Sequence, residues 1–270
     1  MEAYIQSFAN GAAAAVPASA TLGCAVIVEP RRHPALRAVI ANHRAMLPAN
    51  WGIELWTAEG HRAWATAELS EIPGVAVRTL PVANLDQTTY SVLLCCPTFW
   101  ASLGSPGHRA KAEWILVFQA DTVMFRPLTE EALARWTRYD YTGANYYNPA
   151  ETYGAAGGAV GGIQGGFSLR RRTTMLRCLA EVSWARIDAT RAAAGAPAIR
   201  TDRRFEDIYF THACALLGVP LPPIAERREF SIEAEYYVAP LAHHGWNRPY
   251  FTDAQVRAIL AAAWLPSPAV

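Results

Sequence analysis

The chain predicts an α/β fold, a central mixed but mostly parallel sheet flanked by helices, and three observations carry that prediction. Strand and helix signals alternate through the first half, the pattern of parallel strands joined by crossover helices. Residues 115–118 are apolar without interruption, as a strand covered on both faces must be, and the run breaks off at Gln119 and Asp121. The chain has 270 residues, 52% hydrophobic and 17% charged, enough apolar material to fill one large core.

Residues 22–29 read as the first buried strand. Pro34 opens a helix that places Leu36, Val39, Ile40 and His43 at helical spacing and stops at Pro48. A strand over 51–57, a helix over 61–69 and a strand over 75–80 follow. The apolar stretch 90–103 contains Pro97, which lacks the amide hydrogen a helix interior needs, so a two-part helix is expected. After the strand at 115–118, Thr129 caps a helix with Glu130 and Glu131 in its first turn, and 139–144 forms a short strand.

Residues 145–166, rich in Gly, Tyr and Asn, read as a functional loop closed by a glycine turn at Gly165 and Gly166. That turn leads into a helix over 173–182. Residues 188–201 are alanine-rich and read as a surface excursion, 205–217 as a helix ended by Gly218 and Pro220, and 253–264 as a last amphipathic helix. Residues 1–20 are expected to be a flexible N-terminal segment, and 21–270 a single domain.

A net charge of +1 offers no electrostatic footprint for nucleic acid, so a small phosphorylated ligand is the expected partner. Five cysteines without a CxxC spacing point to reduced thiols and a cytoplasmic protein. No basic n-region precedes the alanine-rich residues near the start, and no run of eighteen apolar residues predicts a transmembrane segment.

Four polar patches stand out on this apolar scaffold. Open α/β sheets bind ligands beyond the carboxyl ends of their strands, which is where Gln119 and Asp121 fall, and a carboxylate there suits a divalent ion on a diphosphate. The others are Gly165-Gly166, Glu206-Asp207 at a helix start, and His243-His244. Each alone has a plainer reading: a turn cap, a tight turn, acids favoured by the helix dipole, or packed imidazoles.

Taken in order, these patches and their flanks resemble a known family. Phe118-Gln119-Ala120-Asp121, Asp140 to Ala144, Gly165 to Arg171, Phe205 to Phe210 and Phe230 to Glu233 are similar to the DUF5672 family of GT-A-like glycosyltransferases. The resemblance implies a GT-A fold, Rossmann-like, and a hexosyltransferase-type enzyme. Such an enzyme moves sugar from a nucleoside-diphosphate sugar to a hydroxyl acceptor that is a glycan, a lipid-linked molecule or a small molecule. It also implies an inverting, metal-dependent reaction.

Asp121 corresponds to the last Asp of the DxD-like motif and would bind Mn2+ or Mg2+; Gln119 stands where relatives carry the first Asp, and a neutral amide there suits a hydrogen bond to ribose or sugar. His244, or failing that His243, matches the late metal ligand, and imidazole favours manganese. Asp207 falls at the position of the general base, with Glu206 beside it as like-charge pressure. Gly165 and Gly166 would let backbone approach the donor, and Arg170 would face the diphosphate. Glu29, Arg32 and Asp86 would contact the nucleoside, and Tyr146, Tyr147, Tyr153, Tyr236 and Trp246 offer faces for sugar rings.

Two other functions compete. A nucleotidyltransferase-like enzyme also sets carboxylates at strand ends, yet residues 28–34 hold no glycine-rich signature. A catalytically silent sugar-nucleotide-binding subunit is favoured by Gln119 in place of an acid.

Overall fold

Strand β1 (Gly23–Val28) is buried at every position because it lies inside a sheet covered on both faces. It pairs in parallel with β2 (Gly52–Ala58) on one side and β4 (Trp114–Phe118) on the other, and β2 carries β3 (Val75–Leu80) at the edge. Beyond β4 the sheet continues with β7 (Ile163–Arg171) and β6 (Tyr141–Asn145), giving the order β3-β2-β1-β4-β7-β6. Strand β7 runs antiparallel to both neighbours, so the sheet is mixed and mostly parallel, as predicted. These coordinates are a computed structural model that describes residues 1–9, 16–104, 112–146 and 162–263.

Successive side chains of a strand point to opposite faces, and the central strands divide two apolar layers accordingly. Ala25, Ile27, Ile53, Leu55, Leu116 and Phe118 join one core with α1 (Glu2–Ala9), α2 (Leu36–Met46) and α6 (Glu130–Trp136). Cys24, Val26, Ile115 and Val117 join the other. That layer holds α4 (Gln87–Leu94), α5 (Pro97–Ser102), α7 (Arg172–Glu181), α8 (Trp184–Ala193) and α9 (Glu206–Leu216). Helix α3 (Arg62–Glu68) connects β2 to β3. Pro97 does divide the 90–103 segment, ending up at the first position of α5 where its missing amide hydrogen costs nothing.

Three segments differ from the sequence reading. Residues 163–171 form the β7 strand, where a glycine turn was expected. The register between β6 and β7 jumps from Gly143↔Ser168 to Asn145↔Ile163, so the two glycines sit in a bulge of a paired strand. Within 188–201 much of the expected surface excursion is helical, because Ser183 caps α8 and Ile187 and Arg191 are buried on its inner side. Residues 2–9, part of the expected flexible segment, are helical too, with Tyr4, Ile5 and Phe8 buried against the core. Residue 264, at the end of the last expected helix, lies outside the described residues, and α11 spans Asp253–Ala262.

A second, three-stranded sheet of β5 (Thr122–Met124), β9 (Ala242–His244) and β8 (Ser231–Ile232) continues directly from β4, with α10 (Ile224–Phe230) leading into β8. Helix α2 fixes where β5 starts. The wholly buried Asn42 donates from Nδ2 to Met124 O at 3.0 Å and accepts from Met124 N at 2.8 Å, while His43 stacks on Phe118 with ring centroids 4.0 Å apart. Burial pushes His43 down to about 3, so the ring is neutral; it donates from Nδ1 to Val39 O and sets Nε2 3.2 Å from Thr122 Oγ1. The step between the two sheets is thereby locked, and it carries Asp121.

Asn42→Ala would take the buried acceptor from the Met124 amide and leave Met124 O with only the longer hydrogen bond from Tyr4 Oη at 3.3 Å. The expected result is a loss of about 2–3 kcal/mol of unfolding free energy in urea titration with the slope unchanged; an unaltered midpoint would mean the clamp does not hold the step.

Candidate active site

A cleft of about 620 Å³ opens at the carboxyl ends of β1 and β4, within the size range of small-ligand sites. Glu29, Arg31, Asp86, Gln119, Asp121, Gly166, Glu206, Asp207, Glu233, His244 and Arg248 all line it. Its position follows from the sheet: parallel strands deliver their ends to one edge, and the chain then leaves for helices on either side.

Strand β9 runs beside β5 with Thr122 opposite His244 and Val123 opposite His243. Adjacent strand residues face opposite ways, so only one histidine can reach the cleft. It is His244. His243 is 2% exposed, lies against Phe251 with ring centroids 5.1 Å apart, and is pushed down to about 3 by burial, so the expectation that it might serve as a ligand is corrected.

His244 Nε2 lies 3.1 Å from Gln119 Oε1 and 3.6 Å from Asp121 Oδ1, while Nδ1 faces Glu233 Oε1 at 3.8 Å. Burial raises the pKa of Glu233, against the pull of His244 and Arg248. A hard carboxylate oxygen and an imidazole nitrogen at this separation fit a manganese-type ion, and Gln119 adds an amide oxygen. Among the described residues no group of three or more His, Cys, Asp and Glu is arranged to hold an ion. Asp121 and His244 thus supply two candidate ligands, and an ion placed between them would need further oxygen ligands from a bound molecule or water.

The opposite wall is the first turn of α9. Asp207 is nearly buried. Its Oδ2 accepts from Tyr146 Oη at 2.8 Å and from the Gly165 amide at 3.2 Å, and its Oδ1 accepts from the Ile208 amide at 2.8 Å. Burial, then the charge of Glu206, pushes its pKa up to about 7 against those hydrogen bonds. A carboxylate offers about four lone-pair positions, so three donors leave room for one more proton.

Glu206 does not stand free. Its Oε1 faces Arg170 Nη2 at 3.3 Å and its Oε2 accepts from Ser91 Oγ at 3.1 Å. Arg170 is wholly buried, donates to Ser168 Oγ and Gly165 O, and lies over the rings of Tyr141, Phe210 and Trp100 at 4.9, 5.5 and 5.7 Å. The sequence reading put this arginine on a diphosphate; the structure turns it inward, because its strand position alternates onto the face under α9.

The two glycines also serve packing. A Cβ on Gly165 would run into the Glu206 carboxylate, and one on Gly166 into the His244 ring. Asp86 reaches the rim, but its carboxylate caps α4, accepting from Thr89 N at 2.8 Å. Arg32 does not line the cleft and lies over Trp64 at 5.7 Å; Arg31 takes the place expected of it, forked onto Glu29 with both contacts at 2.8 Å. Of the aromatics named as sugar platforms, Tyr146 lines the cleft, Tyr236 and Trp246 pack against the core, and Tyr147 and Tyr153 lie outside the described residues.

Sequence reasoning gave no role to Glu233 or Arg248. Glu233 ends a motif that carries the family resemblance, and Arg248 follows Gly245, whose φ of +76° turns the chain back over the cleft; only the fold sets them beside Asp121.

The sequence profile of the family described as "Protein of unknown function (DUF5672)" matches residues 74–245. No curated protein matches the chain. The fold is similar to that of mouse xyloside xylosyltransferase 1 in its apo crystal form. The TM-score is 0.53 at 10% identity, over 83% of this chain and 97% of that one.

The raised Asp207 predicts a pH slope. An unfolded Asp titrates near 4. Between about pH 4 and 7 the native state alone keeps the proton, so stability falls as pH rises, by at most about 1.4 kcal/mol per unit. In Asp207→Asn that slope should flatten when urea midpoints are compared at pH 5 and 8; an equally steep decline would assign it to other groups.

Proposed function

The chain belongs to the DUF5672 family, and on that premise we propose that it is an inverting glycosyltransferase that moves a sugar from a nucleoside-diphosphate sugar to a hydroxyl acceptor with the help of Mn2+ or Mg2+. The observation that carries this reading is that Asp121 with His244 on one wall and Asp207 on the other line a single cleft at the carboxyl ends of the parallel strands. One wall offers ligands for a diphosphate and the other a base, which is what transfer between two bound substrates needs.

Asp207 would accept the acceptor's proton as its oxygen attacks the anomeric carbon from the face opposite the leaving nucleotide. A carboxylate raised to about 7 is well matched to that task near neutral pH. The hydrogen bonds from Tyr146 and Gly165 fix its direction, and Glu206 is held in place beside it by Arg170 and Ser91. A divalent ion seated by Asp121 and His244 would neutralise charge on the departing diphosphate. Glu29 and Arg31, at the exit of β1, are proposed contacts for the nucleoside. The five cysteines are free thiols, which supports a place in the cytoplasm.

Asp207→Asn should cut transfer about 10²–10⁴-fold while nucleotide binding stays intact; turnover retained in that variant would remove the base from this position. Asp121→Ala should abolish the Mn2+ response of both nucleotide affinity and turnover, read by calorimetry and product assay, and a preserved response would move the ion elsewhere.

A further inference from the structure

The cleft is rich in carboxylates, and most of the nearby arginines are already engaged. Arg31 is forked onto Glu29, and Arg170 lies beneath the cleft floor on Glu206. Arg203 lines the far end beside α9. Arg248 is engaged too, but its guanidinium stands on the Asp121 wall, half exposed, where a donor's phosphates would lie.

This placement is built by the backbone. The carbonyl oxygen of Asp121 accepts from both the Gly245 amide at 2.8 Å and the Trp246 amide at 3.2 Å, and the Arg248 amide closes the turn onto Gly245 O at 2.9 Å. The turn therefore rides on Asp121 itself. Arg248 Nη1 donates to Tyr250 Oη at 3.0 Å and to Glu233 Oε1 at 3.3 Å, which steers the side chain back across the cleft. Nη2 then sits 3.8 Å from Asp121 Oδ2, an ion-pair distance and not a hydrogen bond. Nη2 makes no hydrogen bond among the described residues, which leaves that end of the planar fork for phosphate oxygens.

Resting on the nucleotide-sugar reading of this cleft, we propose that Arg248 is a diphosphate-binding residue of the site, and that it and a divalent cation are alternative partners of Asp121, so that either one lets the diphosphate bind. Asp121 and Glu233 hold the guanidinium in place when no ion is bound. An ion drawn to Asp121 would take over that carboxylate and supply, in place of Arg248, the positive charge that faces the diphosphate. Gln119, uncharged where a second acid would stand, leaves the local charge low enough for one cation to suffice.

The test is a binding titration of UDP, GDP and inorganic pyrophosphate to the full chain, wild type and Arg248→Ala, each with EDTA and with Mn2+. The wild type should bind at least one of these diphosphates in EDTA. Arg248→Ala should weaken that binding about tenfold or more, since a hydrogen-bonded charge contact is lost, and Mn2+ should recover most of the loss. Arg248→Lys, which keeps the charge and loses the fork, should fall between the two. Equal binding by wild type and Arg248→Ala in EDTA would overturn the diphosphate contact. Binding by the wild type with Mn2+ but not in EDTA would overturn the claim that either cation suffices. A loss of the same size with and without Mn2+ would overturn the competition for Asp121. Binding of no diphosphate by the wild type under either condition would instead overturn the nucleotide-sugar reading on which the proposal rests. The half-exposed position of Arg248 predicts that both variants melt with the wild type.

Discussion

The site depends on a steric constraint in the middle of the sheet: two consecutive positions of β7 must carry no side chain. The Glu206 carboxylate and the His244 ring occupy the volumes that Cβ atoms on Gly165 and Gly166 would fill. Helix α9 and strand β9 close on this bulge from its two sides and bring Asp207 and His244 to one cleft. Any larger residue at either place would push one wall outward, because packed interiors leave no slack for an added methyl group. The bulge uses its extra residues to turn the Gly165 amide onto Asp207 and the Gly165 carbonyl onto Ser168 Oγ and Arg170.

Beneath that bulge lies an ion pair that is costly in isolation. Removing Arg170 and Glu206 from water carries a desolvation penalty that their attraction alone does not clearly offset. Here hydrogen bonds from Ser91 to Glu206 and from Arg170 to Ser168 supplement the attraction, and three aromatic faces stack around the guanidinium. What the pair provides is position. It fixes the first turn of α9, and so the direction of Asp207, through groups that cannot rearrange without exposing a buried charge.

The opposite wall is arranged differently. Asp121 is held through its backbone, by the β4-to-β5 step clamped from Asn42 and by the turn at Gly245, while its carboxylate is left to face His244 and Arg248. A rigidly held carboxylate and a charge-adaptable wall face each other; on the proposed reading the first would need a fixed angle to one attacking oxygen, and the second would accept a flexible, highly charged diphosphate.

Strands β1, β2, β3, β4 and β6, most helices and the polar end of β4 were legible in the sequence, because they rest on local information: the period of apolar residues, Pro97 and Pro48 as stops, Thr129 as a cap, and a carboxylate where an apolar run ends. The order of the motifs identified the family for the same reason. Local patterns were insufficient where long-range pairing decides. Glycines 165 and 166 look like a turn until β7 pairs with β4 and β6 on either side of their bulge, and Arg170 looks like a surface cation until α9 covers it. The choice of His244 over His243, and of Arg31 over Arg32, follows from which face of the chain meets the cleft, and Glu233 and Arg248 meet Asp121 only because β5 pairs with β9 across more than a hundred residues of chain and β9 in turn carries β8. Sequence determined which chemical groups the protein has and which elements they lie on; the tertiary structure decided which of them share a cavity, because burial and charge pairing are set by neighbours that are distant along the chain.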